Sequence, residues 1–305
     1  MSADPIVARA AAVLRAGGVV AIPTETVYGL AADVANAAAV ARIYAIKGRP
    51  PDHPLIVHAH GLDALAGYVA EITPALRTLA EHFWPGPLTA IVARGPRTPP
   101  TVTGGQATVA VRVPEHPLAR AILAAFGGAL AAPSANLFGR VSPTTAEHVR
   151  ADLGAQVDLI VDGGPARVGV ESTIVDLTAA VPAVLRSGAV TASQLAAALG
   201  TPVVTLAGGS VRAPGMLPSH YAPRAEIVLV EAAAREEETQ RRAQAGRRVA
   251  LLQLPDDAQS AARSLYATLR ALDADGYDAI VATLPPDTEP NAALRDRLSR
   301  AAAPR

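Results

Sequence analysis

The segment Ile46-Lys47-Gly48-Arg49-Pro50 holds the only lysine in 305 residues; the other 26 of the 27 basic side chains are arginine. Two cations separated by one glycine suit a polyphosphate. A guanidinium grips oxygens in pairs, and an ammonium supplies a compact point charge. A cation at a helix C-terminus is also favoured by ~0.3–1 kcal/mol through the helix dipole, but an arginine would serve that purpose equally well. Further on, Ala131-Ala132-Pro133-Ser134-Ala135-Asn136 ends a run of small residues. Strand alternation points Ser134 and Asn136 the same way, so that a hydroxyl and an amide can meet phosphate or carboxylate oxygens. Pro, Ser and Asn also favour turns, and taken alone this stretch reads as a turn.

Other polar groups stand where strands begin or end. Thr24, Glu25, Thr26 and Tyr28 follow the apolar run Gly18–Pro23, and Glu171, Ser172 and Thr173 lead into another. Arg112 lies inside the otherwise apolar Val109–Pro114. If buried, its charge needs a partner: either a bound carboxylate or a glutamate such as Glu25 or Glu171. His53 and His58 follow the cation pair, but a pair of histidines with no third ligand in reach is a weak metal site. The Walker loop, GxGxxG after a strand, HExxH and GxSxG are all absent, so any phosphate must be bound another way.

Short apolar runs alternating with Ala-rich helical runs must position these residues. Asp4-Pro5 starts a helix that Gly17-Gly18 ends, and Asn36 caps one that stops at Gly48. Further helices are expected near 61–70, 74–83, 116–126, 144–152 and 191–199, with Thr144 and Glu147 as a capping box. The strands are too irregularly spaced for a pure βαβ repeat, so the expected fold is α/β with a twisted mixed sheet over residues 1–205. Residues 206–225, rich in Gly, Pro and Ser, read as a linker. Residues 226–305 read as a small Rossmann-like parallel α/β unit.

Half of the residues are apolar and only 3% aromatic, so Ala, Val and Leu must fill the core. Zero net charge excludes a global field toward nucleic acid or membrane. The absence of cysteine excludes disulfides, thiolate nucleophiles and Cys-ligated zinc. The longest uncharged run, between Arg186 and Arg212, is interrupted by polar residues, Pro and Gly, and an acidic N-terminus argues against a signal peptide. A cytoplasmic protein without a membrane span is expected. All seven histidines lie at or before His220, so chemistry is expected in residues 1–205 and the linker.

In order, PTETVYGL, KGRPPDHPLIVH, FWPGPLT, VAVRVPEHPLA, APSANLFGRVSPTTAEHV, DGG and VGVESTIVDL resemble the YrdC-like threonylcarbamoyl-AMP synthases. APGMLPSHYAP and the small tail resemble the longer, two-domain form. The resemblance implies a nucleotidyltransferase that joins L-threonine, bicarbonate or CO2, and ATP into L-threonylcarbamoyl-AMP and pyrophosphate. The product serves tRNA threonylcarbamoyladenosine formation. It also implies a basic cavity with Lys47, Arg49, Ser134 and Asn136 at the chemistry. Arg49, His53, Thr108, Ser134, Ser142 and Arg186 are then expected on ATP. His220 and Tyr221 would lie over the nucleotide as part of a lid formed by 206–225. Thr26, His58, Arg112, Ala132 and Ser172 are expected on threonine, with Arg112 on its carboxylate.

On the same grounds Mg2+ is expected with ATP, held by phosphates and not by protein side chains. Later tRNA-modification proteins are expected to receive the intermediate, and direct tRNA contact to be weak. Relatives often carry a basic residue before the His-Tyr pair, where this chain has Leu217-Pro218-Ser219. The alternative is an RNA-binding YrdC-like module without synthase activity, against which the zero net charge counts.

Overall fold

The structure is a computed structural model that describes residues 4–206 and 219–304. Local chemistry sets most of the helix ends. Asp4 accepts a hydrogen bond from the Ile6 amide before helix α1 (Pro5–Arg15), and Asn36 accepts one from Ala39 before α2 (Ala37–Lys47). Gly48 ends α2 in the left-handed conformation, at φ 59°, which glycine adopts without steric cost. The remaining helices are α3 (Pro74–Phe83), α4 (Pro100–Thr103), α5 (Pro117–Phe126), α6 (Ala146–Leu153), α7 (Ala192–Leu199), α8 (Arg235–Gln244), α9 (Ala258–Ala274) and α10 (Ala292–Ala302).

Two expectations fail. Near 61–70 only a single 3-10 turn forms, Asp63–Leu65. Gly67 takes a positive φ, and the Ala70 amide leaves the helical path to bond Ala93. The cap of α6 is Thr145, which accepts from the His148 amide; Thr144 is drawn off to the His148 ring and makes no capping box. A full capping box occurs instead at Thr191 and Gln194.

Ten strands form one mixed sheet: β1 (Val20–Ile22), β2 (Gly29–Asp33), β3 (Ile56–His58), β4 (Leu88–Ala93), β5 (Thr108–Arg112), β6 (Leu130–Ala131), β7 (Leu159–Ile160), β8 (Thr173–Asp176), β9 (Ala183–Arg186) and β10 (Val204–Thr205). Their order is β10-β9-β8-β4-β5-β3-β6-β2-β1-β7. The strands are buried on both faces except at β10, as a sheet covered by helices requires. A second, parallel sheet has the order β11 (Glu226–Leu229), β13 (Ala279–Ala282), β12 (Val249–Leu251).

Pairing decides where the polar strand ends meet. β3 runs parallel to β5 and sets His58 beside Arg112. β4 is antiparallel to β5 but parallel to β8, and β9 is antiparallel to β8. The C-terminal ends of β3, β5 and β9 therefore share one edge with the N-terminal end of β8. That edge carries His58, Arg112, Ser172 and Arg186, which are up to 128 residues apart in sequence.

Candidate active site

A cavity with about 40 Å³ of free volume opens at this edge, room for only a few water molecules. Its wall contains Thr26, Arg49, His58, Arg112, Ala132, Ser134, Ser172, Arg186, His220 and Tyr221, all expected site residues. Five others stand outside the wall: Lys47 and Asn136 behind it, Ser142 and His53 each bonded to a wall residue, and Thr108 apart from it. Thr108 is at the far end of β5 from Arg112, paired with Ala93. His53 meets the edge of the Phe138 ring, 5.3 Å between centroids.

Lys47 is buried, and its Nζ donates to the carbonyls of Ser134 and Asn136, each at 2.6 Å. Its own carbonyl accepts from the Phe138 amide. The ammonium thus ties the end of α2 to the Ser134–Asn136 turn. A compact three-donor group fits between two converging carbonyls where a planar guanidinium would not. Asn136 turns its amide nitrogen to the carbonyls of Leu137 and Arg140 and holds the same turn. Arg49 donates to the His53 and Pro54 carbonyls and lies over the Phe138 ring at 5.5 Å. Among the described residues neither Lys47 nor Arg49 has a carboxylate partner. Burial accordingly lowers the Lys47 pKa well below its usual value, with Arg49 adding to the effect, and burial brings Arg49 down to about 10. Arg186 donates to the Ser172 carbonyl and hydroxyl, and Ser172 also meets the Thr89 hydroxyl at 2.7 Å.

Two carboxylates in the region are held by arginines. Arg112 Nη2 reaches Glu25 at 2.6 Å, the first of the structural alternatives open from sequence, and Glu25 also accepts from the Glu115 amide. Burial opposes the Glu25 charge, but the charge and hydrogen bond of Arg112 together with backbone amides lower its pKa from the usual value. Arg112 Nε donates to Gly86, which leaves Nη1 without a bond among the described residues. Glu171 in the wall accepts from Ser142 at 2.6 Å, Tyr266 at 2.8 Å and Arg297 at 2.7 Å. Against the cost of burial, chiefly the Arg297 charge brings Glu171 down to about 2.

Both cavity histidines are neutral. Burial first, then the Arg112 charge, depresses His58 to about 3; burial likewise brings His220 to about 3. With Nδ1 of His58 donating to the Ile56 carbonyl at 3.1 Å, its Nε2 is left as an acceptor. His220 packs on Phe138 and Tyr221, and Tyr221 stacks on Tyr266.

A family model described as "Telomere recombination", covering the Sua5, YciO and YrdC proteins, matches residues 12–188. Another, described as "Threonylcarbamoyl-AMP synthase, C-terminal domain", matches residues 190–303. The threonylcarbamoyl-AMP synthase of Bacillus subtilis is 41% identical over 99% of this chain and 94% of its own length. The chain belongs to the threonylcarbamoyl-AMP synthase family. The structure of Pyrococcus abyssi Sua5, solved with L-threonine, superposes with a TM-score of 0.93 at 37% identity over 97% of this chain and 94% of that one. Escherichia coli YciO superposes with a TM-score of 0.53 at 28% identity and covers 60% of this chain.

Against this family background the unexpected groups are Tyr266 and Arg297, from a region that reads from sequence as free of chemistry. A signal was present. Ala293, Leu294, Leu298 and Ala301 form the buried stripe of α10, and Arg297 sits on that stripe. An arginine on the apolar face of a helix needs an anionic partner.

Proposed function

We propose that this enzyme is a nucleotidyltransferase making L-threonylcarbamoyl-AMP and pyrophosphate from L-threonine, bicarbonate or CO2, and ATP. Two buried cations, Lys47 and Arg49, which have no carboxylate partner among the described residues, carry this reading. Burying such charges is costly, and a triphosphate seated against them offsets that cost. Arg49 and Arg186 would grip phosphate oxygens, with Ser134 and Tyr221 beside them. Lys47 would hold the Ser134–Asn136 turn against the nucleotide and lend its charge from behind. On the other side Arg112 Nη1 would take the threonine carboxylate, and neutral His58 would accept a hydrogen bond without opposing it.

The neutral threonine amine adds to CO2 and loses an N–H proton to solvent, giving a carbamate. A carbamate oxygen then forms a bond to the α-phosphorus as the bond to pyrophosphate breaks. The carbamate decomposes in water, so a small cavity covered by His220 and Tyr221 favours capture over loss. Among the described residues no three of His, Cys, Asp and Glu converge as metal ligands, and in this reading Mg2+ arrives on the ATP phosphates. The chemistry is then positioning and charge stabilisation. The product is an activated acyl group for later tRNA-modifying proteins. Among the described residues no helix is long and apolar enough to cross a membrane.

The test is pyrophosphate release with both co-substrates, with each omitted, and with Lys47→Arg. Release should need both and fall by about 10²-fold in the variant as the larger group displaces the turn. Release independent of threonine would overturn the assignment, and full activity in Lys47→Arg would overturn the role of the ammonium.

A further inference from the structure

His220 and Tyr221 reach the cavity on a short segment whose anchors lie on α10 and beside it. The Ser219 hydroxyl donates to the Ala303 carbonyl at 3.2 Å, and the His220 amide donates to Arg300 at 3.2 Å. These carbonyls belong to the end of α10, where that of Arg300 also accepts from the Ala303 amide at 3.4 Å. Tyr221 follows at φ 62°, the one non-glycine residue with positive φ among those described. A bulky residue stays in that region only when its surroundings hold it there. Around it here are Tyr266, stacked at 5.9 Å, and Arg297, whose guanidinium lies 4.9 Å from the Tyr221 ring centre. The guanidinium is itself fixed. Nε bonds Glu171 at 2.7 Å, Nη2 bonds the Ser187 carbonyl at 3.0 Å, Nη1 bonds Asp296, and its side chain is fully buried. On the far side the Ala222 amide bonds the Gly139 carbonyl at 3.0 Å. One side chain thus joins the last helix, a carboxylate in the cavity wall and the strained tyrosine of the cover.

We propose that Arg297 is a positioning residue for nucleotide binding: with the end of α10 it latches segment 219–222 over the cavity, so that the C-terminal unit sets the fraction of molecules able to retain ATP. The proposal rests on the ATP site assigned above. A nucleotide that needs the latched form binds more weakly in proportion to the fraction lost. On the threonine side, Arg112, Glu25 and His58 make no hydrogen bond to α10 among the described residues; Ser172 is linked to it through its neighbour Glu171.

Arg297→Lys keeps the charge beside Glu171 and removes the planar group that fills the space under Tyr221. Hydrogen exchange of the ligand-free protein should show faster exchange in 219–223, with the central strands unchanged. The KM for ATP should rise about tenfold and the KM for threonine by less than twofold. In a Tyr221→Ala background the same change should add less than twofold to the ATP KM, because the latch is already lost. Unchanged exchange in 219–223, equal rises in both KM values, or the full tenfold effect in the Tyr221→Ala background would each overturn the proposal. Exchange is read without turnover, so it decides the latch even if wild type proves to have another substrate. Should Arg297→Lys not fold, Ser219→Ala removes a single hydrogen bond from the same latch. It should speed exchange in 219–223 about fivefold, and no change there would overturn the proposal equally.

Discussion

Mild acid should destabilise this protein before its carboxylates titrate, because His58 and His220 are 3% and 6% exposed and both are depressed to about 3 from an ordinary 6.5. The unfolded chain binds protons on these rings as the pH falls below 6.5, and the folded chain does not. Stability contributed by keeping them neutral is therefore full above 6.5 and falls with decreasing pH. At pH 5 each ring lies about 1.5 pH units below its unfolded value, at about 1.4 kcal/mol per unit, or about 2 kcal/mol. The folded value lies so far under 5 that protonation of the unfolded ring sets this size. Two rings give about 4 kcal/mol, a large share of the ~5–15 kcal/mol that holds a typical fold. Glu171, at about 2, gives stability that is present above its ordinary 4.5 and is lost as pH falls through 2, outside the window. Urea unfolding at pH 7 and pH 5, at constant ionic strength, would measure the loss in wild type, His58→Gln and His220→Gln. Each variant should lose about 2 kcal/mol less than wild type between the two pH values, whatever its stability at pH 7. Equal losses in wild type and His220→Gln, within about 0.5 kcal/mol, would show that this ring is not held neutral and refute the reasoning.

Glu25→Gln leaves Arg112 buried without its counter-charge and should cost about 3–5 kcal/mol in urea unfolding; added threonine should raise the Tm of this variant more than that of wild type. A loss under about 1 kcal/mol would mean that the pair is solvated like a surface pair. Gly169→Ala places a Cβ 2.4 Å from the Cα of Arg263 on α9 at a φ of +83°. Neither backbone can give way cheaply, so the Tm should fall, with a loss of about 2 kcal/mol or more, and an unchanged Tm would disprove the close approach.

The sequence by itself determined what depends on neighbouring residues. The caps at Asp4, Asn36 and Gly48 follow from side chains two or three residues from the amides they bond, or from a glycine's freedom at positive φ. The α/β class follows from apolar periodicity, and the family from the order of the motifs. The short helix expected near 61–70 failed because a distant carbonyl, on Ala93, took the Ala70 amide, and no local signal carries that information. The site itself belongs to tertiary structure. That Glu25, and not Glu171, pairs with Arg112 depends on how the loop after β1 meets the end of β5, 87 positions away. Lys47 is legible as unusual, but its position behind the wall, bonded to the Ser134 and Asn136 carbonyls, depends on packing. Arg297 was least legible. Its partners Glu171 and Ser187 are 126 and 110 positions away, and a charge on an apolar stripe says that a counter-charge must exist without saying where. Local rules act through a few bonds, whereas a buried charge is satisfied by whatever the fold brings to it.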